Sequence, residues 1–432
     1  MLSKTAEKIC LVVIRWASYL ILFLPLLVYR ETLYPYIFGK IIFFRILVEI
    51  IFAVYIFLIV YDKRYRPNWR NPLIFFSAIF VTILFITSLF GVDFSRSFWS
   101  TQERMTGLLT IGHFWIWFII LTSTLKKWSD WKSFIWASLI CSLLVGLYGM
   151  GQKVGLEFLI KVIRILRMTS TLGNPIFLGV YSMLHVFLAG FMLFKESKFI
   201  WRSIIIFLLI FNSIILYFAG SRGVITAFGL GVFLSFIFII FILPSSKIKK
   251  IIIPSFILLI VITAVGFIFF QTPKAKFLHQ KLPPFIVNIV YFKSLTFGAE
   301  QLLIPWEIGL RGFKERPIVG WGWENYNILF NKYFPPQFSK YGADSTWYDR
   351  SHNQLVDLLS LTGSLGTIAY LLFYGSIFFL LIKKLREVKN KIDYSFARDS
   401  IPLTILVLMF LAYFFQNLTV FDTPAPLIVF YF

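Results

Sequence analysis

The sequence predicts an all-α polytopic integral membrane protein with about 11–12 transmembrane helices and one large external loop. Three observations predict it. Of 432 residues, 59% are hydrophobic and only 14% are charged, whereas a soluble domain carries about a quarter charged residues. Mean hydropathy is +0.81. Apolar runs of about 20 residues, the length that crosses the hydrocarbon core, recur along the chain. This composition excludes a soluble enzyme, a disordered tail and a DNA-binding protein.

The runs lie at 9–29, 36–61, 72–91, 107–125, 132–152, 174–194, 200–219, 222–243, 250–270, 353–382 and 400–416. The first follows Lys4 and Lys8 in the manner of a signal peptide. Its length suits a span and no small-residue cleavage site follows, so it reads as a retained first span. A twelfth run begins near Thr423 and stops at Phe432, too short to cross about 30 Å of hydrocarbon. It reads as re-entrant or truncated. Three parts result: 1–270 with helices 1–9, a loop over 271–351, and 352–432 with helices 10–12. Cys10 and Cys141 sit inside apolar runs, which argues against a disulfide framework.

Net charge is +22, and on a membrane chain this reads as topology signals and attraction to anionic lipid rather than to nucleic acid. The segment from Lys383, Lys384 and Arg386 to Arg398 is strongly basic, which places it and the N-terminus on the cytoplasmic side and the 271–351 loop outside. Within that loop, 304–314 carries apolar residues at helical spacing before Pro317. It reads either as a helix on the membrane surface or as a packed loop helix.

Costly polar residues gather at the outer ends of the predicted spans. Arg222 opens one span within Gly220-Ser221-Arg222-Gly223; Arg104 precedes another; Arg164 and Arg167 precede Asn174-Pro175. Asn174 and Pro175 form an N-cap and a first helical residue. Arginine beside a helix N-terminus makes an anion site, and snorkelling to headgroups is the competing reading. His352 lies in Asp349-Arg350-Ser351-His352-Asn353-Gln354. The Ser351/Gln354 spacing reads as a capping box with His352 in the first helical turn, where the positive helix end favours a neutral, proton-accepting imidazole. A backbone-bonded capping histidine is the plain alternative. His113 and His185 read as packed residues, and His279 as a loop residue without partners. No phosphate-binding glycine loop, HExxH or CxxC motif occurs, and no metal or cofactor is expected. Arginines at three helix starts and a neutral histidine at a fourth suit transfer of a group from a lipid diphosphate to an acceptor hydroxyl.

At these residues the chain resembles the O-antigen ligase / O-antigen polymerase family of bacterial surface-glycan membrane glycosyltransferases. The matching pieces are Ser97-Phe98-Trp99 with Glu103–Gly107, Ser170–Pro175, Gly220–Gly223, Gly312–Pro317 with Gly320-Trp321-Gly322, and Asp349–Asn353 running into Gly363–Gly366. They extend from about residue 90 to the end. The resemblance implies a metal-independent enzyme of the bacterial inner membrane. Its donor would be an undecaprenyl-diphosphate-linked glycan and its acceptor a lipid A-core, a glycan or a protein. It implies His352 as base and Arg222 as diphosphate ligand, with Arg104, Arg167, Arg350, Asn353 and Arg316 as further binding candidates. Its usual arginine four residues before Trp306 is Leu302 here, with Lys293, Arg311 and Arg316 nearby. The alternative function is a non-enzymatic glycolipid exporter, or a scaffold for glycan assembly.

Overall fold

Most helices are apolar around their whole circumference, as a segment surrounded by hydrocarbon must be, because helices satisfy their own backbone without water. The computed structural model describes residues 3–156, 167–242, 247–270, 272–282, 287, 295–336, 347–389 and 396–432. Among them are α1 (Lys4–Phe23), α2 (Phe38–Tyr61), α3 (Pro72–Leu89), α4 (Phe94–Trp99), α5 (Leu108–Thr124), α6 (Trp128–Val154), α7 (Pro175–Lys195) and α8 (Phe199–Ala219). The chain continues through α9 (Arg222–Ile242), α10 (Lys247–Phe270), α11 (Lys276–Lys281), α12 (Leu295–Glu315), α13 (Tyr326–Lys332), α14 (Gln354–Lys389), α15 (Phe396–Gln416) and α16 (Pro424–Tyr431). Eight described helices are long and apolar enough to cross a membrane. The chain is a multi-pass, all-helical membrane protein.

Local chemistry sets the helix ends. Asn174 Oδ1 accepts from Ile176 N at 2.8 Å with Pro175 at the first helical position, as its sequence predicts. Asn71 caps α3 before Pro72 in the same way. α8 ends at Gly220 in the left-handed region (φ 56°), the conformation that glycine adopts without a Cβ penalty. α16 has eight residues, too few to span, and is buried against the bundle. α7 lies at the centre, packed by α8, α9 and α15.

One predicted span is broken. At Gly363 the backbone of α14 leaves the helical region (φ 62°, ψ −164°). The loop from Pro317 to Gly322 fills the break. Ser364 N donates to Pro317 O (2.8 Å) and Leu365 N to Ile318 O (3.2 Å), while Trp321 N and Gly322 N donate to Ser360 O (3.0 Å) and Leu361 O (2.8 Å). A Cβ on Gly363 would lie 2.3 Å from Ile318 O, and one on Gly320 2.4 Å from Leu361 C. Both glycines are needed for this approach of backbone to backbone.

The loop helix expected at 304–314 extends back to Leu295 and stops at Glu315, before Pro317. One side is close-packed: a Cβ on Gly309 would lie 2.5 Å from Val356, and one on Gly312 2.5 Å from Leu329. The other side is exposed at Leu303 and Leu310.

Candidate active site

His352 stands on a short segment held rigidly by its neighbours. Arg104 grips Asp349 with two bonds, Nε to Oδ2 at 2.7 Å and Nη2 to Oδ1 at 3.0 Å. Arg350 is buried; its Nη2 pairs with Glu324 Oε1 and donates to Thr106 Oγ1 at 3.1 Å. Its guanidinium lies 4.8 Å from the Trp323 ring centroid, and Trp323 Nε1 donates to Thr106 O at 2.8 Å. The loop locked into α14 thus delivers Trp323 and Glu324 to the residue on one side of His352.

On the other side the helix start is set by Asn353, not by Ser351. Asn353 Oδ1 accepts from Leu355 N (3.0 Å) and Val356 N (3.3 Å). α14 begins at Gln354, so His352 precedes the helix instead of occupying its first turn. The expected capping box fails because both of its members bond elsewhere. Ser351 N donates to the buried Asp357 Oδ1 (2.8 Å), Ser351 Oγ donates to Asn353 O (2.9 Å), and Gln354 N donates to Asn417 O (2.7 Å). With both flanks anchored, His352 takes φ 59°, a left-handed conformation uncommon for a residue other than glycine.

The imidazole sits between the Tyr348 ring (5.1 Å between centroids) and the Phe421 ring (5.2 Å). Its Nδ1 faces Arg350 O at 3.2 Å. A carbonyl only accepts, so Nδ1 carries the hydrogen and Nε2 keeps its lone pair. Burial lowers the His352 pKa below the ordinary histidine range; the bond to Arg350 O raises it, Arg104 lowers it, Asp349 raises it and Arg350 lowers it. Burial opposes ionisation of Asp349, but the Arg104 bond and charge win and hold its carboxyl below the usual range.

A second cluster gathers at the turn between α8 and α9. Arg222 is exposed at the first residue of α9. Arg167 Nε donates to Ala219 O at 3.1 Å, and Lys153 Nζ lies 3.5 Å from the Phe218 ring centroid. Burial and the charge of Arg222 both lower the Arg167 pKa. None of the three cations has a carboxylate partner among the described residues.

The segment after α15 joins the two clusters. A Cβ on Gly223 would lie 2.6 Å from Thr419 Oγ1, Asn417 O accepts from the start of α14, and Phe421 carries Arg104 4.8 Å above its ring. Asp422, partly buried, accepts from Tyr413 Oη and from Asn417 Nδ2 (2.8 Å); burial raises its pKa. Glu324, Phe421, Asp422 and Lys153 were not among the residues that the motifs single out. The polar pair Gln416-Asn417 and Asp422 between apolar runs was the available signal.

Residues 204–371 match the family model described as O-antigen ligase. Over that part, less than half of the chain, the sequence is similar to the O-antigen ligase family. The matched part holds Arg222, Arg316, Arg350, His352 and Asn353, whereas Arg104 and Arg167 precede it. This match supports, in general, a glycan-transferring enzyme of ligase or polymerase type. No curated protein matches the chain. Of the cations near the O-antigen ligase position occupied by Leu302, Arg311 pairs with Glu307 (2.6 Å) and Arg316 stacks on Trp321 (4.7 Å). Arg164, Lys293, and the side chains of Leu302 and His279, lie outside the described residues.

Proposed function

We propose that this protein transfers a glycan from an undecaprenyl-diphosphate-linked donor to an acceptor hydroxyl at the outer face of the bacterial inner membrane. His352 Nε2 takes the proton of the acceptor hydroxyl as its oxygen attacks the sugar carbon linked to the diphosphate. The bond from that carbon to the diphosphate oxygen breaks, and the lipid diphosphate leaves with the electron pair. Arg222 with the first amides of α9, joined by Arg167 and Lys153, holds the leaving diphosphate. Arg104, Arg350 and Asn353 position the histidine. The observation that carries this reading is the His352 ring, with Nδ1 on a carbonyl and Nε2 free of protein partners among the described residues.

The experiment uses a host lacking its own surface-glycan ligase and polymerase, with each function supplied separately in control strains. The unaltered chain is expected to restore core-linked or lengthened glycan on gels. The variant His352→Ala, inserted at the same level, should lose about 10²–10⁴ in transfer. Full activity in that variant would remove His352 as the base. Glycan export without new linkage, equal in both chains, would favour the exporter or scaffold.

A further inference from the structure

Gln416, the last residue of α15, is a polar residue of this region that the proposed chemistry leaves unused. It is 0% exposed, and among the described residues neither Oε1 nor Nε2 has a hydrogen-bond partner. A carboxamide carries two donors and two acceptor lone pairs. Burying them unmade is costly, whereas an apolar side chain of the same shape would carry no such penalty. Packing alone therefore gives no reason for a glutamine here.

Its place is between the two clusters. α15 packs along α9, and Gln416 Oε1 lies 3.7 Å from where a Cβ on Gly223, next to Arg222, would stand. On the other side, Asn417 O accepts from Gln354 N, and Phe421 meets the His352 ring. Thr419 is exposed and nearer to Gly223, with Oγ1 2.6 Å from the same Cβ position. The carboxamide is thus one side chain below the surface at the start of α9. An ionised phosphate oxygen only accepts, and would leave Oε1 unmet. A hydroxyl or acetamido group on a sugar ring both donates and accepts, and so can meet both atoms.

We infer that Gln416 hydrogen-bonds the sugar ring joined to the lipid diphosphate, through a hydroxyl or acetamido group, once the Thr419 side chain turns aside. This rests on the transfer reading above, which puts that ring between Arg222 and His352. The probes are undecaprenyl diphosphate alone and the same lipid carrying glucose, galactose or N-acetylglucosamine, each bound to the full chain in lipid nanodiscs. The unaltered chain is expected to bind at least one sugar-bearing lipid about fivefold to a hundredfold more tightly than the bare lipid. Gln416→Leu and Gln416→Met should reduce that preference to within about twofold. Because the carboxamide has no partner to lose, neither variant should lower the unfolding midpoint. A preference kept in the variants, even with all lipids bound more weakly, overturns the inference. So does a lowered midpoint in both variants, or an unaltered chain that binds bare and sugar-bearing lipids equally; these outcomes leave the transfer reading standing. An unaltered chain that binds none of the lipids removes that reading, and the inference with it.

Discussion

Arg104 and Arg350 differ from Arg167 and Arg222 in one respect that separates the roles proposed for them. The first two spend their charge on carboxylates, Asp349 and Glu324, and are partly or fully enclosed. The second two meet no carboxylate among the described residues, and the pair repel each other. A cation already neutralised by a buried partner positions its neighbours, because parting the pair would strand two charges. A cation left unpaired at a helix start is available to an anion. In sequence all four are arginines at or near a predicted outer helix start.

The largest expected effect tests the enclosed pair. Glu324→Ala strands the Arg350 guanidinium and should cost about 3–5 kcal/mol of stability, read as a lowered unfolding midpoint in detergent. Glu324→Leu with Arg350→Met should restore most of that midpoint, because no unpaired charge remains. A midpoint unmoved by the single change would make Arg350 as free as Arg222. Next is Arg222→Ala, expected to weaken donor binding about tenfold to a hundredfold through loss of charged hydrogen bonds, with an unchanged midpoint. A destabilised but fully active variant would reverse the comparison.

A smaller effect concerns pH. Because the His352 pKa lies below the ordinary value, the imidazole is neutral at and above about 6.5. Transfer should be level above that pH and fall on acidification through the depressed pKa. Asp349→Asn removes a charge that raises the histidine pKa, so its acid limb should move to lower pH. The smallest effect is Arg311→Ala. Arg311 and Glu307 are paired but 56% and 62% exposed, and the change should alter the midpoint by less than about 0.5 kcal/mol. A larger loss would mean that pairing alone, without burial, gives an arginine a structural role.

Much of the candidate site was legible in linear sequence. His352 and Arg222 stand out because polar residues at the ends of apolar runs are expensive and few. The role of Arg350 was not legible, since its partner Glu324 is 26 positions away and reaches it only through the break in α14. The start of α14 was misplaced by one local motif, because Asp357 and Asn417 took the bonds that a capping box would have used.

The sequence by itself determined that this chain is helical and lies in a membrane, since the hydropathy of a run and the cost of unsatisfied backbone act locally. It also determined several helix ends, through Asn174-Pro175, Asn71-Pro72 and Gly220. Only the tertiary structure decided which arginines are neutralised, where α14 is interrupted, and that the segment through Phe421 joins His352 to the cations of α9. Charge pairing and backbone docking act between segments up to 245 positions apart, a distance over which no local pattern carries information.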